Sequence, residues 1–222
     1  MTSKKAKKVE QQQESIVIPE IPPMENLMIL PQQQPQGLRS VALFGDVQEE
    51  NAGEVIYAML ALREQGRTEE EVEGKRGKKS VITKYDPFEF YISTHGGSAS
   101  DMFAIYDVMR QVKKDCDIST IGIGKVMSAG VLLLAAGTKG KRKIGKHCRV
   151  MIHSVLGGNE GPLFNLENEL DQVRWVQEKY IEALIAESKM TSSTMKKLLE
   201  KHVNIYLSAE EAVKYGIADE VI

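Results

Sequence analysis

No apolar run in the 222 residues approaches the roughly 20 positions that a membrane-spanning helix needs. Charge of one sign is also lacking: the formal net charge is −2, which implies neither nucleic acid nor an acidic membrane surface as partner. Cysteine is scarce. Cys116 and Cys148 have no metal-ligand spacing, and a single possible pair builds no disulfide framework, so reduced thiols in a cytoplasmic compartment are expected. The basic start MTSKKAKKVEQQQES has no apolar segment behind it and does not read as a secretory signal. There is no G-x-G-x-x-G and no P-loop lysine with an adjoining Ser or Thr, which leaves no nucleotide cradle. No repeat of 20 to 50 residues is present. These absences point to a soluble intracellular chain that is long enough to bury a real core.

What is there begins with residues 1–37, where KKAKK, QQQ, PQQQPQ and five prolines predict a flexible arm or propeptide with two apolar islands. Strand and helix signals then alternate from 38 to 222. SVALFGDV reads as a strand, followed by a helix over 51–66 with Asn51 as its expected cap. Residues 67–80, charged and without period, read as a surface insertion. A strand over 86–93 runs into THGGSAS and a helix with Ile105, Tyr106, Met109 and Val112 inward. ISTIGIG is the next strand, RKIG and CRVMIH are short ones, and a long helix spans 164–188 with Leu166, Leu170, Val173, Tyr180 and Leu184 on a stripe. SSTMKKLLEKH is a further helix. SAEEAVKYG carries capping-box spacing at Ser208 and Glu211 with Gly216 as stop, and IADEVI closes the chain as a strand. Such alternation predicts an α/β domain with a mainly parallel sheet and a site at strand C-termini.

Ser128 lies where a strand ends and the apolar helix AGVLLLAAG begins. Serine there is an ordinary helix cap. The same strand–serine–helix arrangement also holds a nucleophile beside free helix amides, although the surrounding pattern is not G-x-S-x-G. His153 ends the strand CRVMIH at the rim where α/β sites assemble, and HGG at 95–97 permits close backbone approach with N–H groups turned to a carbonyl. His147 sits in a polar turn, His95 in a loop and His202 near a helix end.

The segments YISTHGG, IYDVM, GKVMSAGVLLLAAGTKGKR, CRVMIHSVLGG and YLSAEEAVKYGIADEVI, in this order and spacing, resemble the proteolytic subunits of the caseinolytic Clp proteases, ClpP, over roughly 38–222. The resemblance implies a ClpP/crotonase-type spiral of βαβ units with a protruding handle helix from about Phe164. It implies a serine endopeptidase in which Ser128 is the nucleophile, His153 the general base, and the amides of Gly97 and Ala129 the oxyanion hole. Ser98 and Ala99 on one side, with Val155 and Leu156 on the other, match segments that pair with a substrate added as a β-strand. Stacked heptameric rings, a separate AAA+ unfoldase and unfolded polypeptide substrates are the implied partners. No metal or organic cofactor is implied.

Three departures stand out. Asn204 occupies the third catalytic position, where the family usually has aspartate; an asparagine carbonyl can accept from the imidazole but carries no charge. Glu200 is a nearby carboxylate. The 67–80 insertion is absent from typical members, and the N-terminal segment matches poorly. Asn204 keeps open a second reading, a weakly active or inactive scaffold subunit of a mixed ring. A crotonase-type acyl-CoA enzyme on the same fold is a third, which a Ser–His pair disfavours.

Overall fold

The structure, a computed structural model, describes residues 37–73, 79–158, 160–199 and 203–222. The expected arm lies outside these residues except for Gly37, as do Glu200 and His202.

Parallel strands form the centre. β1 (Ser40–Phe44), β4 (Phe88–Thr94) and β5 (Ile118–Met127) lie side by side, and β6 (Lys143–Ile144) and β9 (Glu220–Val221) extend the sheet beyond β5. β5 is long enough to have two neighbours on one edge. Its first half pairs with β6 and its end, Lys125–Met127, pairs with β7 (Arg149–Ile152). β8 (Ile205–Leu207) joins β7 antiparallel, the one such pairing in this seven-stranded sheet. The alternation in β4 is strict: Phe88, Phe90, Ile92 and Thr94 are buried and the residues between them half-buried, the period-two pattern of a strand covered mainly on one face. This is a mixed α/β architecture with parallel strands linked through helices, as the alternation of strand and helix signals predicts.

α1 (Glu49–Gln65) and α2 (Ala99–Val112) pack together, α2 packs on α3 (Ala129–Ala135), and α3 lies on β4 and β5 and touches α4 (Leu163–Glu187). α2 turns Ile105, Tyr106, Met109 and Val112 inward as its periodicity predicts. α3 is buried on every side, which suits its unbroken apolar sequence. α5 (Ser192–Leu199) contributes Met195 to the core. α6 (Ala209–Lys214) opens with the expected capping box, Ser208 Oγ accepting from the Glu211 N–H and the Glu211 carboxylate from the Ser208 N–H.

Three expectations need correction. Asn51 does not cap α1: the helix starts two residues earlier after Gln48, and the Asn51 side-chain amide donates to the Asp46 carbonyl. The described residues of 67–80 are exposed apart from half-buried Val72, as a surface insertion would be, but they have the regular structure that the missing period did not suggest. Arg67–Glu73 (β2) and Lys79–Tyr85 (β3) form an exposed two-stranded antiparallel hairpin. Thr68, Val72, Val81, Ile82 and Thr83 favour extended backbone, and Glu70 pairs with Lys84 at 2.5 Å across it. The apolar stripe of α4 is buried only in its second half, at Tyr180 and Leu184; Leu163, Phe164, Leu170 and Trp175 face outward.

Candidate active site

At the end of β5 the backbone makes an unusual turn. Ser128 has φ 52° and ψ −119°, and among the described residues it is the only non-glycine with positive φ. Such a conformation costs on the order of 1–3 kcal/mol and persists only where its surroundings impose it. Three hydrogen bonds do so here. The Ser128 N–H donates to the Met151 carbonyl at 2.8 Å, which extends the β5–β7 ladder by one step. The Ser128 carbonyl accepts from the Val131 N–H at 3.0 Å and from the Tyr180 hydroxyl at 3.1 Å. The Ser128 side chain caps nothing. The serine is therefore held by its backbone while its hydroxyl is left to the cleft.

The HGG turn presses against it from the other side. Gly96 and Gly97 have φ +105° and +149°, and a Cβ on Gly96 would lie 2.5 Å from the Ser128 Cβ. Val47 clamps this turn: its N–H donates to the Gly96 carbonyl and its carbonyl accepts from the Ser98 N–H, both at 2.8 Å. Since Val47 bonds to the residues on either side of Gly97, the Gly97 N–H points away from Val47. Among the described residues neither the Gly97 nor the Ala129 amide donates a hydrogen bond. Buried Thr94 accepts from the Gly96 N–H at 3.0 Å, bracing the turn from below.

A cleft of about 370 Å³ opens over the serine. Ser128, Ala129, Gly97, Ser98 and Ala99 line it together with His153, Val155 and Leu156. His153 is half-buried just past the end of β7. Of the expected site residues only Asn204 is outside the cleft. It is exposed, one residue before β8. The β7–β8 register pairs Val150 with Leu207, Met151 with Tyr206 and Ile152 with Ile205, so one further step sets Asn204 opposite His153. No hydrogen bond joins Asn204 to His153, or the Ser128 hydroxyl to the imidazole, among these described residues. Catalytic hydrogen bonds commonly tighten only with substrate present. The Ser98 hydroxyl accepts from the Asp101 N–H as the cap of α2, and its carbonyl accepts from the Met102 N–H at 3.0 Å, so both side chain and backbone fix the start of the helix.

The cleft also holds residues that the sequence did not single out. His95, Met102, Val176 and Tyr180 complete its lining. Burial pushes the Tyr180 phenol well above its ordinary range, so it remains a donor. His147 stands in an exposed turn outside the cleft. Cys116 and Cys148 are buried free thiols, and burial raises both, Cys148 to about 11, which keeps them protonated and unreactive. Among the described residues no cluster of three or more His, Cys, Asp or Glu could hold a metal, and no helix is long and apolar enough to cross a membrane.

Comparison with known proteins bears on this geometry. The family model described as Clp protease matches residues 81–222, a span that takes in the HGG turn, Ser128, His153 and Asn204. Over 132 residues, 60% of this chain, it is 38% identical to the ATP-dependent Clp protease proteolytic subunit 1 of Prochlorococcus marinus strain MIT 9312, of which the match covers 66%. The protein of the same name from Prochlorococcus marinus subsp. pastoris strain CCMP1986 is 38% identical over 132 residues, 65% of its length. The chain thus spans just under two thirds of the length of these relatives. With the family model covering well over half of its sequence, the chain belongs to the Clp protease family.

Proposed function

We propose that the chain is a serine endopeptidase subunit of an ATP-dependent Clp-type protease, acting on unfolded polypeptide within an oligomeric chamber. One observation carries the reading: Ser128 is held at positive φ with its hydroxyl uncommitted among the described residues, in one cleft with His153. In this mechanism a substrate strand lies between Ser98–Ala99 and Val155–Leu156. His153 takes the Ser128 proton as the oxygen attacks the scissile carbonyl, and the Gly97 and Ala129 N–H groups receive the oxyanion. The imidazolium returns its proton to the leaving amine, and water then hydrolyses the acyl-enzyme by the same steps.

The exposed apolar side chains Leu163, Phe164, Leu170 and Trp175 on the first half of α4 support assembly with further subunits in stacked rings. ATP is the business of a separate AAA+ unfoldase, and the two buried thiols suit a reducing cytoplasm. Asn204, exposed and unbonded to His153, favours a second reading, a scaffold subunit of a mixed ring.

Treating the protein and its Ser128→Ala variant with a fluorophosphonate probe, then mapping adducts by mass spectrometry, separates the two. Labelling confined to Ser128 is the expected result. An assembled protein that takes up no label overturns the peptidase reading in favour of the scaffold.

A further inference from the structure

Val173, Gln177 and Tyr180 of α4 stand at i, i+4 and i+7 and therefore share one helix face. Each meets a different part of the cleft wall. A Cβ on Gly157 would fall 2.5 Å from the Val173 Cγ2, so the glycine turn after His153 rests directly on the helix. Gln177 Oε1 accepts the Val155 N–H at 2.6 Å. Tyr180 holds the Ser128 carbonyl. Residues 153–158 belong to no helix or strand, and it is Gln177 that ties their backbone to the body of the fold.

Only half of the Gln177 amide is engaged. Its Nε2 is buried and has no acceptor among the described residues, an arrangement that is costly to leave unmade. A primary amide presents the same acceptor and donor as a neighbouring strand residue. Its oxygen takes the N–H of an extended residue, and its NH₂ can take the carbonyl of that same residue, as paired strands exchange both bonds.

We propose that Gln177 is a positioning residue that serves Val155 as a substitute strand neighbour. Oε1 holds the Val155 N–H already, and Nε2 takes the Val155 carbonyl when a substrate strand docks. With Val155 turned toward α4, the backbone of Leu156 faces the opposite way, toward the substrate, because successive residues of an extended chain alternate. The inference rests on the peptidase reading of the cleft, and it assigns the substrate-pairing wall to a side chain on the handle helix.

The test uses the full chain in a Ser128→Ala background, which keeps peptides intact, with Gln177→Met (neither donor nor acceptor) and Gln177→Glu (acceptor without donor). Amide hydrogen exchange across 153–158 reads the Val155 tether, and anisotropy of a fluorescent extended peptide reads Kd. Gln177→Met is expected to speed exchange at Val155 and weaken peptide binding roughly fivefold, the scale of one net hydrogen bond. Gln177→Glu is expected to keep the exchange protection and still weaken binding. Unchanged exchange in the Met variant, or an unchanged Kd in both, overturns the proposal, as does a Ser128→Ala protein that binds no extended peptide. In the Ser128-intact protein, fluorophosphonate labelling of Gln177→Met is read beside Kd as a check on the fold of the site, since a small probe needs no strand pairing. An equal loss of labelling and peptide affinity would mean general collapse of the site and would overturn it. Absence of label in the wild type strikes the peptidase reading alone, because exchange and Kd are read without catalysis.

Discussion

The Tyr180 hydroxyl donates to the Ser128 carbonyl at 3.1 Å, joining two residues 52 apart in the chain. That bond comes from the fifth turn of a long helix and reaches the one strained non-glycine residue among those described. Tyr180→Phe removes it while keeping the ring in place, and the carbonyl retains its bond from Val131. A loss of about 1 kcal/mol in stability is expected by chemical denaturation, with slower fluorophosphonate labelling of Ser128. Burial raises the phenol, so the folded state keeps its proton where the unfolded chain has lost it. The Tyr180 contribution is intact below pH about 10 and declines as pH rises beyond it. The stability gap between wild type and variant should therefore narrow on the alkaline side; a constant gap would refute the assignment.

Gly96→Ala tests the turn that presses on the serine. A Cβ there would meet the Ser128 Cβ at 2.5 Å, and φ +105° is unfavourable for any L side chain. The serine has to move. A displacement of about 1 Å is worth roughly two orders of magnitude in rate, so labelling should fall by about that factor in a variant that remains folded by circular dichroism. Labelling at the wild-type rate would show that the turn does not position the nucleophile.

Why some of this was legible in the sequence and some was not follows from the range of the interactions. The parallel α/β architecture, the inward face of α2 and the capping box of α6 are local patterns, and each appears where its periodicity or spacing places it. The β2–β3 hairpin hid because neither face is buried: with no core to alternate against, the charges fall on both sides and the period-two signal vanishes. Asn51 failed as a cap because the Asp46 carbonyl engages its amide inside the first turn. Ser128, His153 and the HGG turn were marked by their positions at strand ends. Gln177 and Tyr180 were not, since a helix stripe reads the same whether it meets a core or the loops of a cleft.

The hairpin should be removable. Asp86 N–H already donates to the Gly66 carbonyl at 2.9 Å, and Arg67 and Tyr85 form the first rung between them. Deleting 68–84 leaves Gly66-Arg67-Tyr85-Asp86, four residues whose ends are joined as in a β-turn. Tyr85 keeps its place under the Arg63 guanidinium, 4.5 Å from the ring centre. Because the described residues among those excised are exposed apart from half-buried Val72, and none of them lines the cleft, a change in Tm within about 2 °C is expected by calorimetry. Cleavage of short peptides should be unchanged; its loss would tie the hairpin to the site or to assembly.

Asn204→Asp addresses the one expected catalytic position that lies outside the cleft. Continuation of the β7–β8 register sets residue 204 opposite His153, where directly facing side chains have Cβ atoms about 5 Å apart. Asparagine offers either its oxygen or its NH₂ to the imidazole, and the latter favours the wrong tautomer. A carboxylate only accepts, and it stabilises the imidazolium that forms as Ser128 is deprotonated. The reverse substitution in a working Ser-His-Asp triad costs about 10⁴ in turnover; at an exposed position the gain is screened, and one to two orders of magnitude (~10–100-fold) is the expectation. The measurement is kcat on a fluorogenic peptide across pH 5 to about 9, with the oligomer verified by light scattering. A raised kcat in an intact oligomer identifies residue 204 as the orienting group. An unchanged rate in an intact oligomer means that His153 is oriented by some other contact, and that the departure at 204 does not limit the enzyme.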